Sequence, residues 1–194
     1  MKTGTAKSGE QADRQTRILD AAMDLLSRHG ISGVNMRAVS REAGVALGLV
    51  NYYYADKASL IRAALKRVDE HDVALVAPDP ALAPEERLLK ALRDVVDPDL
   101  LTRQYLSLRL HLWALAKANE DFARINDAAF ERYVAGLAAL IGDARPELSA
   151  EECRKRADDI VVLQNGVWLT ALLGMDRTAT ERSISRTEEI AFAP

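Results

Sequence analysis

Between Asn35 and Lys57 the chain reads as two short helices broken by a glycine turn, and this segment constrains the fold most. Met36, Val39 and Ala43 recur at helical spacing, so one face of the first helix is apolar and packs inward. Gly44 supplies the positive φ that ends this helix and turns the chain. Val45, Leu49 and Val50 then resume the apolar stripe, leaving Asn51, Tyr52 and Tyr53 on the opposite face. The pattern is a helix-turn-helix whose second helix offers polar and aromatic side chains to a DNA groove. A helical hairpin buried in a core would leave the three successive tyrosines and Lys57 without a reason.

The charge distribution agrees. The 194 residues carry a net charge of −3, which by itself argues against nucleic acid. Yet residues 1–62 hold nine Lys and Arg against six Asp and Glu, while the rest holds 17 against 23. The excess of positive charge lies with the helix-turn-helix, and an acidic remainder stays off the phosphates. An apolar share of 48% is ample for a core, and no alternating β pattern persists, so the expected class is all-α.

Over Arg14 to Leu60 the sequence resembles the DNA-binding domain of TetR-family transcriptional regulators. The resemblance rests on a first helix ending at Arg28-His29-Gly30, the turn Ala43-Gly44-Val45, the small Gly48, the run Tyr52 to Tyr54, and Asp56-Lys57 opening the next helix. The chain departs from the family in having Ala46 where Ser or Thr is usual, Asn51 in place of Tyr, and Tyr54 in place of Phe. The resemblance implies a DNA surface made of Asn35, Arg37, Gly48, Asn51, Tyr52, Tyr53 and Lys57, with Lys57 on a phosphate and Tyr54 packed inside.

Further signals divide the chain into nine helices. Residues 1–12 are polar and small, and are expected to form a disordered arm before a first helix from about Asp13 to His29, with Ile18, Ala22, Leu25 and Leu26 buried. Asp56 caps a long fourth helix with Leu60, Ala64, Val68 and Leu75 inward, closed by Pro78 and Pro80. Pro84 suits the first turn of a fifth helix carrying Leu88, Leu92 and Val95. Helices follow over about Leu101 to Lys117 and Glu120 to Ile141. Ser149 with Glu152, and Thr178 with Glu181, read as capping boxes for the last two. The expected domains are residues 13–56 for DNA and 57–194 for ligand binding and dimerisation.

In the second domain Tyr105, Arg109, His111, Trp113, Phe122, Asn126, Asn165 and Trp168 are candidate ligand-binding residues. The stretches Tyr105 to Ile141 and Leu163 to Leu169 are similar to the C-terminal domain of the choline-responsive betaine repressors (BetI-like group). Those relatives commonly have Asp-Gly where Asn165-Gly166 lies. A quaternary ammonium favours an aromatic cage with a nearby negative charge, and Asn165 removes that carboxylate. Each Trp taken alone also fits a core aromatic with a satisfied N–H. The apolar stripe of the eighth helix with Gly166 in its middle suggests a close helix crossing. Since the family dimerises through its last two helices, the expected interface is Ile160, Leu163, Gly166, Val167, Thr170, Ile184 and Ile190.

The remaining features exclude more than they assign. Cys153 is the only cysteine, which rules out an internal disulfide and suits a reducing cytoplasm; its polar surroundings read as an exposed thiol. His29, His71 and His111 lie too far apart for a compact metal motif, and no phosphate loop, nucleophile elbow, signal peptide or membrane span is evident. No cofactor is expected. The reading is a homodimeric, cytoplasmic repressor that binds a double-stranded DNA operator and is released by a small-molecule effector. A protein-binding adaptor and a small helical enzyme are the rival classes.

Overall fold

Glycines and caps set the helix boundaries in this computed structural model, which describes residues 4–174 and 177–194. Among them are nine helices and no strand: α1 Gly4–Gly33, α2 Met36–Glu42, α3 Leu47–Tyr53, α4 Lys57–Ala74, α5 Pro84–Asp94, α6 Arg103–Ala118, α7 Glu120–Ala144, α8 Ala150–Leu172 and α9 Arg177–Phe192. Gly30 interrupts α1 with φ 63° and ψ −169°. Asn35 caps α2 by accepting from the Ala38 amide at 2.9 Å. Ser149 caps α8 by accepting from the Glu152 amide, and Asp56 stands before α4 and accepts from the Ser59 amide at 2.7 Å. Ala46 precedes α3 with no side-chain bond at all.

Two differences concern ends. The expected disordered arm is helical from Gly4, because Glu10, Gln11 and Ala12 are good helix formers and extending a helix needs no new nucleus. The last helix starts at Arg177, one residue ahead of the expected cap Thr178.

The chain divides into two compact units. The first runs to Arg67 and includes Ser107–Ala123; the second comprises Val68–Leu106 and Arg124–Pro194. The division therefore falls inside α4 rather than at Lys57, since Leu60, Ile61, Ala64 and Leu65 are buried with the first unit. That unit's core also holds Ile18, Ala22, Leu25, Leu26, Val34, Val39 and Val50. Exposed ion pairs Arg28–Glu42 and Arg67–Asp20 tie α1 to α2 and to α4.

The core of the second unit gathers Leu88 and Leu92 of α5, Val134, Leu137 and Ile141 of α7, and Ala157, Ile160 and Val161 of α8, with Ala191 of α9. Here α9 lies along α8 and against α5. Its C-terminal end is held by Arg156, whose guanidinium donates to the carbonyls of Ile190, Ala191 and Ala193, and by Arg145, which also donates to Ala193. A cation at a helix C-terminus is favourable both as a donor and against the macrodipole. Cys153 is buried in this core facing Gly142, which corrects the expectation of an exposed thiol. No helix among the described residues is long and apolar enough to cross a membrane.

Candidate nucleic-acid interface and ligand region

The first unit presents α2 and α3 as the sequence pattern requires. Gly44 has φ 65°, and the Val45 amide closes the turn onto the Ser40 carbonyl at 3.0 Å. Val39 and Val50 are fully buried, so the opposite faces point to solvent. There Arg37, Gly48, Asn51 and Tyr52 are exposed, and Tyr53 is half-buried. Tyr52 is 72% exposed and meets the Tyr53 ring edge-on at 5.2 Å. An aromatic side chain left so far in water adds little to the core of its own unit. Gly48 gives the same message: a Cβ added there would meet nothing within 4 Å, so its smallness is not needed for packing. Tyr54 is buried, and that burial pushes its phenol above the usual range.

Three of the expected DNA residues have partners of their own. The side-chain oxygen of Asn35 is used in capping α2. Lys57 donates to the Ile31 carbonyl at 2.5 Å. Tyr53 donates its hydroxyl to the Gln11 carbonyl at 3.2 Å, which sets the early turns of α1 beside the end of α3. Arg41 escaped the sequence reading although it is exposed one turn beyond Arg37 on the same face of α2. Their spacing of four was the available signal.

The candidate ligand residues separate into two groups. Arg109, His111, Trp113 and Phe122 belong to the first unit, and Tyr105, Asn126, Asn165 and Trp168 to the second. In the first group the Arg109 guanidinium lies over the Trp113 ring at 4.9 Å, Phe122 is buried, and the His111 imidazole is set against Gly30.

In the second group Tyr105 donates to Asp72 at 2.6 Å and meets the Trp168 ring edge-on at 6.5 Å. Asp69 and Asp72, three apart on α4, are both buried. Burial, and then the charge of Asp69, raises the Tyr105 phenol far above its usual range, so it stays a proton donor. The Trp168 indole donates to the Val95 carbonyl at 2.7 Å, a core aromatic with its N–H satisfied. Asn126 and Asn165 are half-buried. Sequence reasoning missed the carboxylates on α4, and Gln164, whose buried carbonyl oxygen accepts from Tyr133 at 2.9 Å.

The expected dimer face needs correction. Ile160, Val167 and Ile184 are buried within their own unit, and Ile190 packs against its core. Leu163 and Thr170 are half-buried. Gly166 alone of the set is exposed, with open space where a Cβ would be. At about 100° per residue, Gly166 does not share a face with Ile160 and Val167. It falls instead among Val162, Leu169 and Leu173, which are 71%, 46% and 67% exposed.

Comparisons with known proteins agree with this architecture. Residues 18–64 match the family described as bacterial regulatory proteins, tetR family. Residues 84–191 match the family described as BetI-type transcriptional repressor, C-terminal. Relatives named HTH-type transcriptional regulator BetI include those of Cronobacter sakazakii, 26% identical over 86% of this chain and 83% of that one, and Escherichia coli, 24% identical over 89% and 90%. Among solved structures, a transcriptional regulator from Pseudomonas aeruginosa PAO1 superposes with a TM-score of 0.78 at 24% identity, covering 92% of this chain and 88% of that one. One from Saccharomonospora viridis, in complex with choline, gives 0.73 at 19% identity, covering 94% and 97%. The chain belongs to the TetR family of bacterial transcriptional regulators, with a helix-turn-helix near its N-terminus and a BetI-type C-terminal domain.

Proposed function

We propose that this regulator is a cytoplasmic homodimeric repressor that binds a palindromic operator through α2 and α3 and leaves it when a small molecule binds. The observation that carries the DNA surface is the pairing of a buried Val50 with exposed Gly48, Asn51 and Tyr52 on one short helix. Such a helix is anchored by one face and has a polar, aromatic face for a groove. Arg37 and Arg41 on α2 add phosphate contacts, which position the helix without reading sequence.

Dimerisation is assigned to the outer face of α8. Val162, Leu169 and Leu173 form one exposed apolar stripe around Gly166. A second copy crossing there buries that stripe, and the missing Cβ lets the helices approach closely. Two reading heads are required because symmetric half-sites need two.

The effector is assigned to the second unit beside Tyr105, Trp168 and Asn165. Asn165 lacks the carboxylate that an ammonium group favours, but Asp72 supplies one from α4, bonded to Tyr105, which itself faces Trp168. The set suits a small organic ammonium compound, since cation–π attraction of about 0.5–2 kcal/mol adds to the charge pairing. The relative solved with choline makes choline the first compound to test. An effector releases DNA only by binding one arrangement better than the other.

The experiment is capture of genomic fragments by the purified protein, followed by choline titration of the retained DNA. Retention of a palindromic fragment and its release by choline are expected, with release lost in Asp72→Asn. Failure to retain any fragment contradicts the repressor reading, and release unaffected by Asp72→Asn contradicts the effector site.

A further inference from the structure

We infer that His111 is a positioning residue for DNA binding: by packing on the Gly30 kink it fixes the Ile31 carbonyl that orients the Lys57 ammonium. The inference rests on the reading of Lys57 as a phosphate contact. It reassigns His111 from effector binding to the reading head.

Four residues of the first unit make the connection. Gly30 has φ 63° and ψ −169°, a backbone conformation essentially confined to glycine, so the kink is a property of this residue. The His111 ring of α6 lies against it: a Cβ built on Gly30 would be 3.2 Å from His111 Cε1, with both ring nitrogens farther off at 3.5 and 3.6 Å. The nearest atom is a carbon, so the contact is one of shape. The residue after the kink, Ile31, accepts from Lys57 Nζ at 2.5 Å. An ammonium has three donors. One on Ile31 leaves two for a phosphate and takes much of the rotamer freedom from a flexible side chain before DNA arrives.

The same geometry explains why a lysine stands at the start of α4, where its charge opposes the helix macrodipole. The Ile31 carbonyl offsets that penalty locally and holds the ammonium in one place. The Ile31 carbonyl also accepts from the Val34 amide at 3.3 Å; because glycine resists rotation about φ and ψ so little, a stop on the kink itself restricts that carbonyl further. The imidazole of His111 is that stop. Any shift of α6 that lifts the ring from Gly30 then loosens Lys57.

The test uses the full-length protein and a random-sequence DNA duplex, since a phosphate contact acts on all sequences alike. The slope of log affinity against log salt is measured for wild type, Lys57→Ala, His111→Ala, the double variant and His111→Phe. Lys57→Ala is expected to lower the slope by about one unit per subunit. His111→Ala is expected to weaken binding at low salt several-fold and to reduce the slope in the same direction. The double variant should resemble Lys57→Ala alone, and His111→Phe, which fills the same space with carbon, should restore the wild-type slope.

Loss in His111→Ala that adds fully to that of Lys57→Ala overturns the inference, as does a wild-type slope in His111→Ala when Lys57→Ala has lowered it. An unchanged slope in Lys57→Ala itself overturns the phosphate reading and this inference with it. Should His111→Ala not fold by circular dichroism, His111→Val makes the same comparison with a smaller gap.

Discussion

The indole nitrogen of Trp168 donates to the main-chain carbonyl of Val95 across a buried 2.7 Å, joining the C-terminal part of α8 to the end of α5. That bond makes Trp168 part of the support of the second unit as well as a wall beside Tyr105. Trp168→Phe should keep the fold but leave the Val95 carbonyl unsatisfied, at a cost of about 1–3 kcal/mol. Trp168→Ala should cost about 3–5 kcal/mol. Denaturant unfolding of both checks this, and equal stability of wild type and Trp168→Phe would show that the bond contributes nothing.

Two glycines should respond oppositely to the same change. A Cβ on Gly48 of α3 meets open space, whereas one on Gly136 of α7 comes within 2.7 Å of Val76 Cγ2. Gly48→Ala is expected to stabilise the free protein by up to about 1 kcal/mol through helix propensity, while weakening DNA binding because the backbone no longer approaches the groove as closely. Gly136→Ala should cost about 1–3 kcal/mol by overpacking and leave DNA affinity of the folded protein alone. Thermal unfolding with a DNA titration separates the two effects, and a Gly48→Ala protein with undiminished affinity would remove Gly48 from the interface.

The caps of the reading head also differ in a testable way. Ala46 gives α3 no side-chain cap, so Ala46→Ser should stabilise by about 1 kcal/mol, read as a shift in the denaturation midpoint. Asp56 does cap α4: bonds from the Ser59 amide and hydroxyl hold its carboxyl below the ordinary value of about 3.9. With a folded pKa below the unfolded one, this contribution is present above the unfolded value and is lost as pH falls through the folded one. An NMR titration should find Asp56 ionised to lower pH than a free carboxylate, and Ser59→Ala should return it toward normal.

The reading head was the most legible part of the chain because its information is local. Val39 and Val50 inward and Gly44 at the turn follow from helical period and glycine's φ, and Tyr54 inside was implied by the family resemblance. The eighth helix was less so, since it is apolar on two faces. Its inward stripe, Ile160 and Val167, was assigned to a partner, while Val162, Leu169 and Leu173 face out. No local signal says which of two apolar stripes meets α9. The Tyr105–Asp72 bond was hidden for a related reason, since it joins residues 33 apart in sequence.

For the outward stripe, Leu169→Glu should leave the monomer folded, because Leu169 is 46% exposed. A charge at the centre of an apolar crossing is then expected to split the dimer. Analytical ultracentrifugation should show monomer for Leu169→Glu and dimer for wild type, and a dimeric Leu169→Glu protein would place the interface elsewhere.

The most direct test of DNA reading through α3 compares wild type with Tyr53→Ala and Tyr54→Ala on the same captured genomic fragment. Tyr53, half-buried at the C-terminal end of α3, should be required for binding, and Tyr53→Ala should lose affinity at least tenfold with little change in melting temperature. Tyr54, buried in the core, should behave in reverse, losing stability by a few kcal/mol. Full affinity in Tyr53→Ala, or its unfolding while Tyr54→Ala stays stable, would contradict the account.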